Sequence, residues 1–160
     1  MNYHNITKQD MLNGDGIRVV LWVAGCNHHC KNCQNPITWD ENGGLLFDES
    51  AENELFEALR ENYIDGITFS GGDPLFPQNR AEIFRLIKKC KQMYPQKTIW
   101  LYTGYLWEEI KDLKGLEDID VICEGPFIDE LKDNNLHWVG SSNQRVINVK
   151  ESLKSKLVVL

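Results

Sequence analysis

Ile17-Arg18-Val19-Val20-Leu21-Trp22-Val23-Ala24 runs straight into Gly25-Cys26-Asn27-His28-His29-Cys30-Lys31-Asn32-Cys33. The first eight residues are almost continuously apolar and rich in β-branched side chains, the pattern of a strand buried on both faces of a parallel sheet. A loop with three cysteines in eight residues leaves its carboxyl end, where open α/β sheets place their ligands.

Downstream, strand and helix signals alternate. Asp48 to Tyr63 sets Leu55, Phe56, Leu59 and Tyr63 at helical spacing, with acids gathered at the N-terminal end, where the helix dipole favours them. Gly66 to Ser70 reads as a second strand. Asn79 followed by Glu82 is a helix start before Ile83, Leu86, Ile87 and Cys90. Thr98 to Thr103 reads as a third strand, Leu106 to Leu113 as a short helix, Asp120 to Cys123 as a fourth strand and Arg145 to Val149 as a weak last one. This alternation predicts right-handed βαβ units in an α/β fold with a mainly parallel sheet, layered or curled into part of a barrel. With 160 residues the chain is too short for a full eight-unit barrel of ~250. One domain spanning 1–160 is the expectation.

Apolar residues make up 42% and charged residues 26% of the chain, ordinary for a domain with a real core. A net charge of −7 argues against a protein that grips nucleic-acid phosphates or anionic membranes. No apolar run approaches the ~20 residues of a membrane span, and the first residues lack a basic stretch followed by an apolar one. A cytoplasmic location is therefore expected, with neither nucleic acid nor membrane as partner.

Five cysteines, an odd number, point away from a disulfide framework and toward metal or redox chemistry. A four-iron cubane held by four thiolates has every iron occupied, and one held by Cys26, Cys30 and Cys33 keeps an iron open for a small chelating ligand. Two other readings compete. Cys30-Lys31-Asn32-Cys33 could be a dithiol redox couple, which leaves Cys26 idle, and a structural zinc site would need a fourth ligand. Ser70-Gly71-Gly72-Asp73-Pro74 closes the second strand at the same sheet edge. Its bare backbone suits close approach to a ligand, and Asp73 suits the ammonium of an amino acid-like one. Cys90 and Cys123 read as core and Trp22 as packing. Arg18 and Lys31 either tune an anionic cluster or solvate the surface, and Glu124 either reaches a ribose or solvates its strand end. His4 and His137 are expected to face solvent.

Cys26-x3-Cys30-x2-Cys33 followed by Ser70-Gly71-Gly72-Asp73-Pro74 resembles the radical S-adenosylmethionine enzymes. Gly14-Asp15-Gly16-Ile17-Arg18 narrows the resemblance to the activases of glycyl-radical enzymes. Asn35, Trp39, Pro77-Gln78-Asn79, Trp100, Thr103-Gly104-Tyr105 and Gly140-Ser141-Ser142-Asn143-Gln144 bring it nearest to the branch acting on the anaerobic ribonucleoside-triphosphate reductase. The matches run from the first residue to about residue 145, and the tail after Val146 matches nothing. Position 15, usually proline in the family, is Asp15, and Asn32 stands where many members carry an aromatic residue before the third cysteine.

The resemblance implies a truncated β/α barrel of the radical S-adenosylmethionine type. It implies a 4Fe-4S cluster on Cys26, Cys30 and Cys33, with S-adenosylmethionine lying along Asn32, Cys33, Gln34, Gly71, Gly72, Asp73 and Thr103. Reductive cleavage of the sulfonium would yield a 5'-deoxyadenosyl radical, which takes a hydrogen atom from a glycine of the large reductase subunit. The implied electron donor is a flavodoxin or ferredoxin. Another glycyl-radical enzyme, such as pyruvate formate-lyase, is the alternative target.

Overall fold

The computed structural model describes residues 1–160. Seven strands form one sheet: β1 (Asn2–Asp10), β2 (Arg18–Val23), β3 (Leu45–Leu46), β4 (Gly66–Gly71), β5 (Thr98–Thr103), β6 (Val121–Glu124) and β7 (Arg145–Asn148), in the spatial order β3-β1-β2-β4-β5-β6-β7. Four helices accompany them: α1 (Glu49–Leu59), α2 (Pro77–Met93), α3 (Trp107–Ile110) and α4 (Val149–Ser155). The four central strands β2, β4, β5 and β6 pair in parallel. Both flanks are antiparallel, with β1 on β2, β3 on β1 and β7 on β6.

The α/β expectation holds, and the parallel character belongs to the centre of the sheet. The flank formed by β1 carries little sequence signal, because Asn2-Tyr3-His4-Asn5-Ile6-Thr7-Lys8-Gln9-Asp10 is polar and only Ile6 is buried. Pairing with β2 makes it a strand, and propensity does not. The Arg145–Asn148 segment is a strand, but an antiparallel one, and the unmatched tail continues into α4.

Helix α1 starts where Asp48 accepts a hydrogen bond from the Ala51 N–H at 2.9 Å. It ends at Leu59, short of Tyr63, which is half exposed and whose hydroxyl accepts from Gln9 Nε2 at 2.8 Å. Helix α2 begins at Pro77, where the missing N–H costs nothing. Asn79 is therefore not its cap. It lies within the first turn, buried, and donates from Nδ2 to the Ala24 carbonyl at 2.8 Å, pinning the end of β2.

Leu55, Phe56 and Leu59 of α1 and Ile83, Leu86, Ile87 and Cys90 of α2 share one apolar cluster with Val19, Leu21, Val23, Ile67, Phe69, Ile99, Leu101 and Ile122 from alternate positions of the central strands. Because side chains alternate across a strand, Arg18, Val20, Trp22, Thr68, Ser70, Trp100, Tyr102 and Cys123 stand on the opposite face. That second face is where the chain keeps its polar and aromatic groups.

Candidate functional site

A cavity of about 550 Å³ lies over the second face. It is bordered at one end by Cys26, His28, Cys30, Cys33 and Gln34, and along the strand ends by Gly71, Gly72, Thr103 and Gly104. A row of side chains crosses its floor. Trp22 pairs in register with Ser70, and Tyr102 with Cys123, and all four border the cavity. Leu12 and Asn13 close one side, and Phe127, Leu136, Trp138 and Val139 from the segment after β6 close the other.

Thus Cys26, Cys30, Cys33, Gln34, Gly71, Gly72 and Thr103, all named as site residues from the sequence, border one cavity. Asn32 and Asp73 do not border the cavity. Asn32 is exposed on the outside of the loop, at φ 56°, and its Nδ2 donates to Asp129 at 2.8 Å. That left-handed backbone tolerates asparagine far better than a bulky side chain. Asp73 is completely buried, and its carboxylate accepts from the Leu75 N–H at 2.8 Å, Thr103 Oγ1 at 2.9 Å and the Gly104 N–H at 2.9 Å.

The glycines at 71 and 72 answer to packing as much as to ligand approach. Gly71 has φ +107°, and a Cβ there would meet the Val23 backbone at 2.5 Å; at Gly72 it would meet the Gly25 carbonyl oxygen at 2.5 Å. Any side chain at either position would push the β4 end away from the cysteine loop.

Several readings change. Trp22 borders the cavity, and its indole Nε1 donates to Thr7 Oγ1 at 2.9 Å. Cys123 is buried yet forms part of the cavity floor, and burial pushes its thiol up to about 12. Burial also raises the neighbouring Tyr102 phenol, whose solvent-shielded hydroxyl stands against the Cys123 thiol and finds no stronger partner.

Arg18 neither tunes a cluster nor solvates a surface. It stands at the opposite end of β2 from the cysteines and is completely buried. Its guanidinium donates to Thr68 Oγ1, Thr98 Oγ1 and the carbonyls of Asp15, Ile67 and Thr98, all at 2.8–2.9 Å. Those five bonds use every N–H that the group owns. Burial lowers its pKa to about 10, against the pull of Asp65, Asp120 and Asp15.

Glu124 is completely buried and does not border the cavity. It takes Arg145 through two oxygens, at 2.8 and 3.0 Å, and the Trp107 N–H at 2.5 Å. Lys31 is exposed and pairs with Glu130 at 3.2 Å. His137 is exposed as expected, whereas the Nε2 of His4 is shielded from solvent and unpartnered.

Sequence reading missed Leu12, Asn13, Ser70, Tyr102 and Trp138 as cavity residues. For Ser70 and Tyr102 a signal was available, since each sits one position from a core residue, Phe69 and Leu101, on a strand whose faces alternate.

The donor set fits an iron–sulfur cluster. The three thiols border one end of a single cavity without converging on one ion's coordination sphere, and a cluster offers each thiolate its own iron. Burial raises the Cys26 thiol to about 11, so a metal would have to displace its proton.

A family model described as a 4Fe-4S single cluster domain matches residues 12–147, which spans the cysteine loop, both strand-end turns and the segment closing the cavity. Three relatives are called anaerobic ribonucleoside-triphosphate reductase-activating proteins. That of Enterobacteria phage T4 is 47% identical over 146 residues, covering 91% of this chain and 93% of the relative. That of Escherichia coli K12 is 40% identical over 154 residues, covering 94% and 100%. That of Vibrio cholerae is 40% identical over 148 residues, covering 90% and 96%. The chain belongs to this family of 4Fe-4S activating proteins.

Proposed function

We propose that this protein is the activase of an anaerobic ribonucleoside-triphosphate reductase and that it works as a radical S-adenosylmethionine enzyme. One observation carries the reading: three thiols stand at one end of a cavity whose adjoining wall is a bare glycine strand end. Cys26, Cys30 and Cys33 would hold a 4Fe-4S cluster, leaving one iron without a protein ligand. Bound there, a cluster supplies one-electron reduction of a sulfonium such as that of S-adenosylmethionine, which starts hydrogen-atom abstraction from a glycine of the partner.

The chain's own contribution is placement and exclusion of water. Gly71, Gly72, Thr103 and Gln34 border the space beside the thiols. The aromatic floor of Trp22 and Tyr102 and the wall of Trp138 leave room for a flat ligand and an approaching backbone. The proposed assignment extends over residues 1–160 as one domain, with the sheet as a truncated β/α barrel and a flavodoxin or ferredoxin as electron source. No helix is long and apolar enough to cross a membrane, and a cytoplasmic location belongs to the same proposal. The names of the relatives favour the reductase over other glycyl-radical enzymes as the partner.

Anaerobic reconstitution tests this. The expected protein is brown, with about four irons and four sulfides per chain and a reduced paramagnetic signal that changes when S-adenosylmethionine is added. Replacing any of the three cysteines by serine should abolish both the signal and the activation of the reductase. Loss from Cys30→Ser and Cys33→Ser but not from Cys26→Ser would establish dithiol chemistry instead, and stoichiometric zinc without iron would establish a metal module.

A further inference from the structure

The fourth group around Asp73 is a residue of the cysteine loop. His28 Nε2 lies 2.6 Å from Asp73 Oδ2, with only 17% of the imidazole side chain and 1% of the carboxylate side chain exposed. An ionised carboxylate can only accept, so the Nε2–H donates.

The histidine has a seat built for it. The Tyr105 ring meets it edge-on at 4.6 Å between centroids, and a Cβ at Gly104 would strike the imidazole at 2.5 Å. Glycine at 104 is what leaves room for the ring. His28 stands midway between Cys26 and Cys30, while Asp73 also holds Thr103 and Gly104 at the end of β5. One carboxylate therefore joins the cysteine loop, the turn after β4 and the turn after β5.

We infer that His28 is the positioning residue of the cysteine loop: seated against Gly104 and bonded to Asp73, it sets where Cys26 and Cys30 stand before any cluster is bound. Its functional meaning rests on the cluster reading above, whereas the clamp itself belongs to the metal-free chain. The ties on the outside of the loop are of another kind. Lys31 to Glu130 joins two side chains that are 72% and 67% exposed, and such pairs hold little against water. Asn32 to Asp129 is likewise on the exposed side. A ligand ammonium cannot use the carboxylate of Asp73 without first displacing His28.

Hydrogen–deuterium exchange of the metal-free protein reads the clamp directly. In His28→Ala the hydrogen-bonded amides of Cys26 and Cys33 should exchange at least tenfold faster than in the wild type, with those of α1 and α2 unchanged. Gly104→Ala, which fills the seat while leaving His28 and Asp73 in place, should do the same. His28→Gln, which keeps a donor, should recover part of the protection, and Asp129→Ala should change it less than threefold. After anaerobic reconstitution, His28→Ala should carry at most half the wild-type iron and a broadened reduced signal, with α1 and α2 still protected as in the wild type. Unchanged loop exchange in both His28→Ala and Gly104→Ala would overturn the clamp, and wild-type iron content and signal in His28→Ala would overturn its role in positioning the thiols. A wild type that binds no iron, with both variants loosening the loop, would overturn the proposed function and leave the clamp standing.

Discussion

Leu21, Phe69, Leu101 and Ile122 form one row across the four parallel strands, and Trp22, Ser70, Tyr102 and Cys123 form the next, one residue further along each strand. Every member of the first row is fully buried in the apolar cluster beneath α1 and α2. The members of the second row border the cavity and include a serine and a phenol. The two rows share their backbone, their hydrogen-bonded ladder and their neighbours, and differ only in which way the side chains point. The contrast shows that a single residue of register separates the part of this protein that holds it together from the part that could bind something, and that a slip by one position would exchange them.

The sharpest way to break the contrast is to damage the first row. Phe69→Ala should cost about 3–5 kcal/mol, because the loss of transfer free energy is joined by a cavity that helices on a sheet cannot collapse into. Urea unfolding of the metal-free protein measures it, and a cost below about 1 kcal/mol would mean that the row does not carry the fold. The next effect comes from the far end of the second face. Arg18→Met should cost roughly 2–4 kcal/mol, since it orphans buried carbonyls of Ile67 and Thr98 that lose their donors. Arg18→Lys should recover little in the same titration, having three donors where five are used.

A smaller effect belongs to the rim of the helix-backed face, where Asp120 accepts from the Ile99 N–H, Lys91 and Lys150. Burial opposes its ionisation, yet those three donors win and hold its pKa below the ordinary value. A depressed carboxylate adds stability above its unfolded pKa and loses it as pH falls through the folded one. Asp120→Asn should therefore cost about 1 kcal/mol at neutral pH and progressively less as pH falls through the depressed pKa of Asp120, as read from urea midpoints across pH. The smallest effect is expected in the second row itself. Tyr102→Phe removes a buried hydroxyl whose one neighbour is the weakly bonding Cys123 thiol, so it should leave stability within about 0.5 kcal/mol of the wild type or raise it slightly. A substantial loss would show that the bond between the phenol and Cys123 is a strong one.

Much of this was open to reading from the chain alone. Strand β5 was legible to the residue, and β2, β4 and β6 to within one or two, because a continuous β-branched run between glycines or prolines has few other uses. The cysteines were legible from their crowding. The flank made of β1 and β3 was not: β1 is polar along nearly its whole length, and its pairing with β2 is a tertiary fact. Asp73 was expected beside a ligand and instead lies buried behind the cavity wall, and its partners were out of reach, since His28 is 45 positions away and Thr103 is 30.

Sequence by itself settled the local matters, where spacing and periodicity act over a few residues. These are three thiols in one loop, a bare strand end after β4, and a centre of alternating strands and helices. Tertiary structure alone decided which of the two strand faces opens into a cavity, that Arg18 is a buried latch, and that His28 and Asp73 meet. The physical reason is that a buried polar group must find its partners within about 3 Å, and for these groups the partners come from other strands, brought near only when the sheet assembles.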